Sequence, residues 1–400
     1  MKKLLVLGGA EAQVQLIRAA KAEGYYVVLC DWTDTNPGIA LADVHYHDST
    51  LDRDAVYQVA KQEKVDGVIS NSEPAMSNVA YVAERFGLVG NPVSSVEILT
   101  SKSAFRDLQD EVGLFAPLHY TSNDRNSLLS FAAKMKRPFV VKPVRSSGSR
   151  GTTRMDVFDS NRVCLAIDAC VAFSADGMCA IEEYVEMPSL KVIDGDVFVH
   201  KGEILWDGLF CSTRSQAAPM IPMTQMYPVG LPVGRLLTLK RKVADLLFAA
   251  GVRHGEYNIE GYYTNNGELF IIEINPRQGG NHIPQITFEH SGVDMSKLLV
   301  TTAVGDDSYF NAVKKQRRQN RYLTYHLVFS RRNGVYNGIR FLPPIEQYVV
   351  RVDNKLSVGE NMEACVNATS VVAFVLLEFP DRETQEVWND RLEAYVLLND

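Results

Sequence analysis

The stretch FIIEINPRQGGNH, residues 270–282, decides how this chain is interpreted. Three apolar residues open it and Ile274 continues the apolar pattern, which predicts a buried strand. Alternate side chains of a strand point to one face, so we expect Glu273, Asn275 and Arg277 to point the same way. A carboxylate, an amide oxygen and a guanidinium at a strand end suit a metal ion and a phosphate. This segment alone leaves open an ordinary salt bridge followed by a Pro-Arg turn.

The bulk properties favour a multidomain enzyme or binding protein over a nucleic-acid or membrane protein. The 400 residues exceed one typical compact core, so we expect two or three domains. The net charge of −7 argues against nucleic acid or an anionic membrane surface as the main partner. The basic stretch KKQRRQNR, residues 314–321, is interpreted as a solvated linker face rather than an anion site. No apolar run approaches a membrane span, and the opening MKKLLVLGGAEAQ predicts a first strand rather than a signal peptide.

The cysteines carry no recognisable metal or disulfide pattern. None forms a C-x-x-C pair, so the spacing predicts neither a zinc site nor a disulfide framework. Reduced, mostly buried thiols in a cytoplasmic protein are the expectation. The six positions are Cys30, Cys164, Cys170, Cys179, Cys211 and Cys365.

Residues 1–95 alternate strand and helix patterns and end at the sequence GNP. That order predicts parallel strands with crossover helices, a Rossmann-like sheet. Ligands of such sheets bind beyond the carboxyl ends of the strands. The residues predicted at those ends are Gly8, Gly9, Asp31, Asn71 and Glu73. The G-x-G-x-x-G fingerprint is absent, so the edge of a substrate pocket is favoured over a dinucleotide site.

The rest of the chain divides into two further regions. Residues 96–310 predict an α+β unit of antiparallel strands, with hairpin turns at HKGE and TNNGE. Within it, residues 211–234 are interpreted as a long apolar loop rich in proline and methionine, beside Arg214. Residues 311–400 predict a small α/β region of short strands that a helix over residues 381–398 closes.

Two neighbouring features suggest a phosphate site. Lys142 closes the apolar run PFVV and is a compact cation suited to phosphate, although a snorkelling surface lysine remains the alternative. The loop RSSGSRG, residues 145–151, can aim several backbone N–H groups at one anion because of its glycines, and its serines add hydroxyl donors. A flexible hairpin turn is the ordinary interpretation of this loop. The candidate residues are Ser146, Ser147, Gly148, Ser149 and Gly151.

Two later features suggest a nucleotide and a metal. The strand end IEEYVE could offer backbone N–H and C=O groups to an adenine edge, although a generic strand reads the same way. The turn TNNGE folds two strands together and brings Glu260 near Glu273. Two close carboxylates repel each other and are costly when buried without a counter-ion. Magnesium resolves this repulsion, since it prefers oxygen ligands and binds a few carboxylates together with substrate phosphates.

In this order and on these elements, the motifs resemble those of the ATP-grasp superfamily of carboxylate–amine and carboxylate–thiol ligases. The resemblance spans essentially the whole chain: SKSAFRDL, VVKPVRSSGSRG, IEEYVE, EYNIEG and, most specifically, IIEINPRQGGNH. It implies a fold class of α/β and α+β, in which a Rossmann-like domain precedes an ATP-grasp domain with a lid over roughly residues 120–185. The C-terminal region resembles the small β-rich region of biotin carboxylase and L-amino acid ligases, and carbamoyl phosphate synthase large subunits are also similar.

The resemblance implies a role for each matched residue. Those for ATP are Lys102 and Lys142 on the phosphates, Ser146 to Gly151 as the mobile lid loop, and Glu182, Glu183, Tyr184 and Val185 as the adenine hinge. Those for Mg²⁺, with Mn²⁺ as a substitute, are Glu260, Glu273 and Asn275. Arg277 is implied as a catalytic residue that steadies the phosphoryl group, together with Lys142. Those for the carboxylate substrate are Gly279, Gly280 and Asn281, with Arg277 on the acyl phosphate. Glu73 and Arg214 are further substrate candidates, which follow from the strand end and the loop beside which they lie rather than from the resemblance. The chain departs from the pattern at the ribose site, where Lys191 or Asp194 would need a register shift.

The implied reaction joins a small-molecule carboxylate to an amine, or less often to a thiol, through an acyl phosphate formed from ATP. Positioning and charge neutralisation would do most of the catalysis. Two other functions stay open: a carboxylase of the biotin carboxylase kind, and a non-catalytic ATP-binding regulator. The chain lacks the A-M-K-M biotin-attachment signature. The resemblance also allows a homodimer.

Overall fold

The structure is a computed structural model and describes residues 1–145, 150–174, 176–215, 221–319, 321–365 and 370–399. The N-terminal elements are β1 (Lys3–Leu7), α1 (Glu11–Ala22), β2 (Tyr26–Cys30), a 3-10 turn (Ile39–Leu41), β3 (Val44–Tyr46), α2 (Arg53–Glu63), β4 (Gly67–Ile69), a 3-10 turn (Glu73–Ala75) and α3 (Met76–Phe86). The strands form a parallel sheet in the order β3-β2-β1-β4. The Rossmann-like sheet is confirmed, and the short β3 is the strand that the sequence patterns missed.

A separate small sheet follows two linking helices. The elements are α4 (Val93–Thr100), α5 (Lys102–Glu111), β5 (His119–Ser122), α6 (Arg125–Ala132), β6 (Phe139–Pro143), β7 (Thr153–Met155), α7 (Ser160–Ala172) and β8 (Cys179–Glu183). The strands pair antiparallel in the order β5-β8-β6-β7. Helices α6 and α7 pack against this sheet around Phe139 and Ile181, which are fully buried. This unit coincides with the lid expected over roughly residues 120–185.

The remaining elements build one large sheet and two small ones. They are β9 (Lys191–His200), β10 (Glu203–Arg214), β11 (Pro222–Tyr227), α8 (Val233–Ala249), β12 (His254–Tyr263), β13 (Leu269–Asn275), α9 (Ile283–Ser291), α10 (Met295–Ala303), α11 (Ser308–Lys315), β14 (Tyr322–Phe329), β15 (Gly334–Val335), β16 (Ile339–Phe341), a 3-10 turn (Ile345–Tyr348), β17 (Val349–Asn354), β18 (Asn361–Met362), β19 (Val371–Phe379), α12 (Arg382–Asn389), α13 (Leu392–Tyr395) and β20 (Val396–Leu398). The large sheet has the order β13-β12-β9-β10-β11-β14-β19-β17, while β15 pairs with β18 and β16 with β20. Because β14, β17 and β19 extend the sheet of β9–β13, hydrogen bonding is continuous across the expected boundary at residue 310.

The prediction of a long loop over residues 211–234 is wrong. Residues up to Arg214 belong to β10, and Pro222–Tyr227 forms β11, which pairs with β10 and with β14. Residues 216–220 lie outside the described part of the chain. The prolines and methionines suggested an irregular excursion, but the chain gains two ladders of hydrogen bonds by joining the sheet.

The expected closing helix over residues 381–398 is also wrong in its length. Helix α12 ends at Asn389, and after the single turn α13 the chain becomes strand β20, which pairs with β16. Val396 is buried in that pairing, so tertiary contacts override the helical pattern that the sequence continues to residue 398. Within the described residues, no helix is both long and apolar enough to cross a membrane.

The absence of a disulfide is a third expectation that the structure contradicts. Cys170 and Cys179 are joined, and their Cα atoms lie 6.2 Å apart. The two residues belong to α7 and β8, and both are fully buried in the lid core. The packing of this helix on this strand creates the contact, which the spacing of nine residues in the sequence does not reveal. Of the four cysteines outside the disulfide, Cys30 is buried but Cys164, Cys211 and Cys365 are only half-buried, so the expectation of mostly buried thiols is also wrong.

Candidate active site

The hairpin of β12 and β13 places two carboxylates side by side. Glu260 lies directly opposite Glu273 in the strand register. The next pair joins Gly261 to Ile271, so the register shifts by one residue on β13 immediately beside the two acids. Such a bulge re-aims a side chain at the edge of a site. Asn275 donates a hydrogen bond from Nδ2 to Glu273 Oε1 over 2.9 Å, so these two predicted residues do point to the same side.

A third acid and an arginine complete this row of charges. Asp194 on β9 lies opposite Glu260 on its other side. The Nη2 atom of Arg214 is 3.2 Å from Glu260 Oε1 and 3.6 Å from Asp194 Oδ2. Burial and the neighbouring Glu260 charge raise the pKa of Asp194 to about 8. Arg214 therefore pairs with two protein carboxylates, and its contact with a substrate carboxylate stays a prediction. Lys191, the other residue considered for ribose, lies 3.4 Å from Asp390 Oδ1.

The acids and the amide fit a hard divalent cation. Glu260, Glu273 and Asn275 offer only oxygen ligands from two adjacent strands, which is the donor set that Mg²⁺ prefers. The described residues hold no group of three His, Cys, Asp or Glu side chains already converged as a metal cage.

Arg277 lies where the N-terminal sheet meets the hairpin. Its Nη2 atom is 3.6 Å from Oε2 of Glu73, which opens the 3-10 turn after β4. Its Nη1 atom donates to the backbone oxygen of Gln278 over 3.0 Å. A small cavity lies beside this ion pair, and its polar lining includes Glu73, Lys102, Glu273 and Asn275. The structure thus brings four predicted residues from three separate segments into one cavity, with Arg277 near its edge.

Lys142 is part of a buried ion triad. Its Nζ atom is 2.8 Å from Glu182 Oε1, while Arg106 Nε donates to Glu182 Oε2 over 2.9 Å. Burial alone would raise the pKa of Glu182, but the Arg106 and Lys142 charges lower it to about 2. Burial lowers the pKa of Lys142 to about 8 despite the Glu182 charge, and the cations Arg106 and Lys102 lower it further. Two cations thus stabilise the ionised form of the one carboxylate, Glu182.

The expected adenine hinge is held by the protein itself. The Tyr184 amide donates to the Pro138 oxygen over 2.7 Å, and the carbonyl of Val185 accepts from the Tyr262 hydroxyl over 2.7 Å. The Glu183 amide donates to the Leu118 carbonyl, just before β5, over 2.9 Å. These contacts fix the direction of the hinge backbone, and adenine binding there stays a prediction. In the lid loop, Ser146, Ser147, Gly148 and Ser149 lie outside the described residues, while Gly151 has a φ of 71°.

The segment after Arg277 approaches β9 and β12 closely. Gly279 donates its amide to Asp196 Oδ2 over 2.9 Å, and a Cβ atom at Gly279 would lie only 2.7 Å from Asp196 Oδ1. Further on, the Asn281 carbonyl accepts from Gln225 Nε2 over 2.9 Å, and Asn281 has a φ of 48°. The sequence patterns singled out Gly279, Gly280 and Asn281 but missed Asp196. Its place beside Asp194 in the run IDGD was the only available signal.

Comparisons with known proteins show what this chain is similar to. No protein-family model matches the chain. A formate-dependent phosphoribosylglycinamide formyltransferase of Erythrobacter litoralis is 29% identical over 289 residues, which cover 69% of this chain and 70% of that protein. An ATP-grasp enzyme of Aspergillus fumigatus is 24% identical over 307 residues, covering 66% of this chain and 50% of that protein. The chain spans about half the length of several curated relatives that it matches, between 39% and 58%.

Solved structures show the fold. The L-amino acid ligase of Bacillus licheniformis superposes with a TM-score of 0.79 at 19% identity, covering 100% of this chain and 98% of that chain. The biotin carboxylase domain dimer of the Hydrogenobacter thermophilus 2-oxoglutarate carboxylase, solved with MgADP, ADP and bicarbonate, has a TM-score of 0.72 at 19% identity, covering 100% and 90%. These relatives and structural neighbours are ATP-grasp ligases, so the resemblance and the expected fold class are confirmed.

Proposed function

We propose that this chain, which has the fold of the ATP-grasp ligases, is an enzyme that joins a small-molecule carboxylate to an amine. It would activate the carboxylate as an acyl phosphate and release ADP and phosphate. The observation that carries the proposal is the cleft in which Lys102, Glu273, Asn275 and Glu73 meet beside Arg277. Binding ATP alone would not need this full set of charges. A cytoplasmic location and a homodimer belong to the same proposal.

The proposed nucleotide site uses the row of acids and the two lysines. Glu260, Glu273 and Asn275 would hold Mg²⁺, which when bound would neutralise charge on the phosphates. Lys102 and Lys142 would contact the phosphates. The two lysines belong to neighbouring segments, because the Lys102 amide donates to the Val144 carbonyl just after β6, the strand that carries Lys142. The hinge at Glu182 to Val185 would hold adenine, and Gly151 belongs to the loop proposed as the lid over the phosphates.

The proposed chemistry has two steps. A carboxylate oxygen of the substrate attacks the γ-phosphorus and the bond to the β,γ-bridging oxygen of ATP breaks, giving ADP and an acyl phosphate. The amine then attacks the acyl carbon, and phosphate leaves as the new C–N bond forms. Arg277 would neutralise charge on the phosphoryl group in both steps. Glu73, Gly279, Gly280 and Asn281 would border the carboxylate, and the exclusion of water would protect the acyl phosphate from hydrolysis.

Bicarbonate is the second candidate carboxylate. The biotin carboxylase domain with which this chain superposes was solved with that anion. A bicarbonate-dependent turnover without an amine would favour this carboxylase-like function.

The test is phosphate release from MgATP, screened across pairs of amino acids, small amines and bicarbonate, with mass spectrometry of the products. Release that needs two substrates, together with a new amide mass, supports the ligase. Release with one acid other than bicarbonate, and without an amine, shows acyl-phosphate formation without its acceptor. If ATP binds but no pair and no single acid supports release, the regulator function is favoured instead.

We expect Arg277→Ala to lower kcat by about 10²–10³-fold, or about 2.7–4 kcal/mol, the usual cost of removing one aimed electrostatic group. The measurement is phosphate release at saturating substrates. Arg253→Ala removes an exposed arginine at the start of the same hairpin and serves as the matched control. A correctly folded Arg277→Ala protein with near-normal kcat would rule out the role proposed for this guanidinium.

The affinity for ATP is expected to fall above about pH 8. Lys142 is a cation below its pKa of about 8 and loses that charge as the pH rises, so its attraction to phosphate weakens on the alkaline side. Titration of MgADP and MgATP binding between pH 6 and pH 10 measures the effect. Lys142→Gln should bind more weakly at neutral pH and show a flatter profile. An unchanged profile in that variant would assign the pH dependence to another group.

A further inference from the structure

A buried acidic pair lies beneath the segment that follows Arg277. Asp196 on β9 is 0% exposed and Glu256 on β12 is 2% exposed. Burial and the nearby Asp196 charge raise the pKa of Glu256 well above its ordinary value, so the two side chains interact strongly. Two ionised carboxylates this close would repel each other in a dry interior, which favours one proton on the pair.

Each acid holds one of the two residues after Arg277. Asp196 accepts from the Gly279 amide through Oδ2 and from Asn258 Nδ2 through Oδ1, both over 2.9 Å. Glu256 accepts from Gln278 Nε2 through Oε2, also over 2.9 Å. The pair therefore grips a side chain and a backbone amide of two consecutive residues.

The backbone of Arg277 is fixed from the strand side as well. Its amide donates to the Asn275 carbonyl over 2.8 Å, and its carbonyl accepts from the Asn258 amide over 3.1 Å. The close approach of Gly279 to Asp196 leaves no room for a Cβ atom there. The base of the Arg277 side chain is thus held between the end of β13 and the acidic pair.

The groups around each acid determine which of the two is more readily protonated. Asp196 has two N–H donors and the nearby Arg277 charge, all of which favour its ionised form, against burial. Glu256 faces Asp196 and Asp294 as well as Gln278, and burial together with the Asp196 charge raises its pKa well above the ordinary value. Its Oε1 atom is buried without a hydrogen-bond partner among the described residues. These surroundings favour an ionised Asp196 and a protonated Glu256.

We propose that Asp196 and Glu256 are positioning residues that hold the segment from Arg277 to Gly279 and thereby aim the Arg277 guanidinium at the transferring phosphoryl group. The kinetic part rests on the proposed ligase function, while the structural part does not. Neither acid needs to touch the substrate, because both act through Gln278 and the Gly279 amide.

Two isosteric variants separate this role from simple burial of acids. In Glu256→Gln, the amide group donates to Asp196 and its oxygen accepts from Gln278, so every contact is kept and the proton is no longer needed. In Asp196→Asn, the new amide nitrogen must face either the Gly279 amide or the Asn258 amide group, and both are donors. One buried acceptor is lost only in the second variant.

With wild type as reference, Asp196→Asn is expected to lower kcat by about 10–100-fold, as loss of an outer supporting partner typically does, with the KM for ATP unchanged. Glu256→Gln should keep kcat near wild type, because glutamine can make each of the contacts of the protonated acid. A Glu256→Gln loss as large as that of Asp196→Asn would overturn the proposal, as would an Asp196→Asn protein with the kcat of wild type.

A readout independent of turnover is amide hydrogen exchange of the peptide covering residues 272–283. Asp196→Asn should exchange faster at Gly279, and Glu256→Gln should match wild type. If wild type shows no turnover with any substrate pair, the proposed function fails, yet this exchange comparison still decides the positioning role. Should Asp196→Asn not fold, Gly279→Ala forces the same segment away from Asp196 and takes its place. Equal exchange in wild type and the loosened variant would refute the inference.

Discussion

Glu273→Gln is expected to lower kcat for MgATP-dependent phosphate release by about 10²–10³-fold or more. Glu273 lies opposite Glu260 and lines the same cleft as Lys102. Glutamine keeps an oxygen that can accept the hydrogen bond from Asn275, so the local fold should survive. It removes a negative charge of the proposed Mg²⁺ site, so that site would bind the cation more weakly and the phosphates would lose the neutralisation that the cation supplies.

The measurement is steady-state phosphate release across a range of Mg²⁺ concentrations, with nucleotide binding measured separately. Glu268→Gln is the matched control, because Glu268 is exposed at the turn of the same hairpin. We expect the control to behave as wild type and the Glu273 variant to recover little activity at high Mg²⁺. Normal turnover of a folded Glu273→Gln protein would remove this residue from the metal site.

Local patterns predicted the parts of the site that neighbouring residues build. The alternation from Glu273 to Arg277 and the turn before it were sufficient to place two carboxylates on adjacent strands. The parallel sheet of the first domain followed from the same kind of pattern, and it put Glu73 at a carboxyl edge. A strand and its hairpin partner are close in sequence, so their register leaves a readable trace.

Long-range packing determined what the patterns missed. Asp196 and Glu256 lie on strands that pair with each other, but their contact with Gln278 and Gly279 depends on how the end of β13 folds back. The strand β11 was taken for a loop because its prolines and methionines hid the strand pattern, and of its two partners only β10 is close in sequence, while β14 lies about a hundred residues away. Tertiary partners of this kind override local propensity.

Glu182 shows both sides of this limit and has the largest expected effect on stability. The motif IEEYVE predicted a hinge residue, whereas the structure places its side chain between Arg106 and Lys142, with 76 residues separating Arg106 from Glu182. All three side chains are at least nine-tenths buried. Arg106 also donates to Gln109 Oε1 over 2.7 Å, so its guanidinium cannot turn to water without breaking further contacts.

Glu182→Ala is expected to lower the free energy of unfolding by about 3–5 kcal/mol, because it leaves two buried cations without their carboxylate. Glu183→Ala, at the next position, removes a salt bridge with the exposed Arg137 and should lower the free energy of unfolding by about 0.2–1 kcal/mol. Urea unfolding of both variants, monitored by circular dichroism at pH 7, gives the comparison. Equal losses would mean that the triad contributes no more than a surface ion pair.

The pH dependence gives an independent check on the same carboxylate. The pKa of Glu182 is about 2 in the folded protein and 4.5 as its ordinary value, so the unfolded chain binds the proton more readily. The stabilisation by Glu182 is therefore complete above about pH 4.5 and is lost as the pH falls from there toward 2. In Glu182→Gln this part of the acid destabilisation should vanish, and the stability difference from wild type should shrink between pH 5 and pH 3. A difference that stays constant over that range would show that the carboxylate is not held ionised by Arg106 and Lys142.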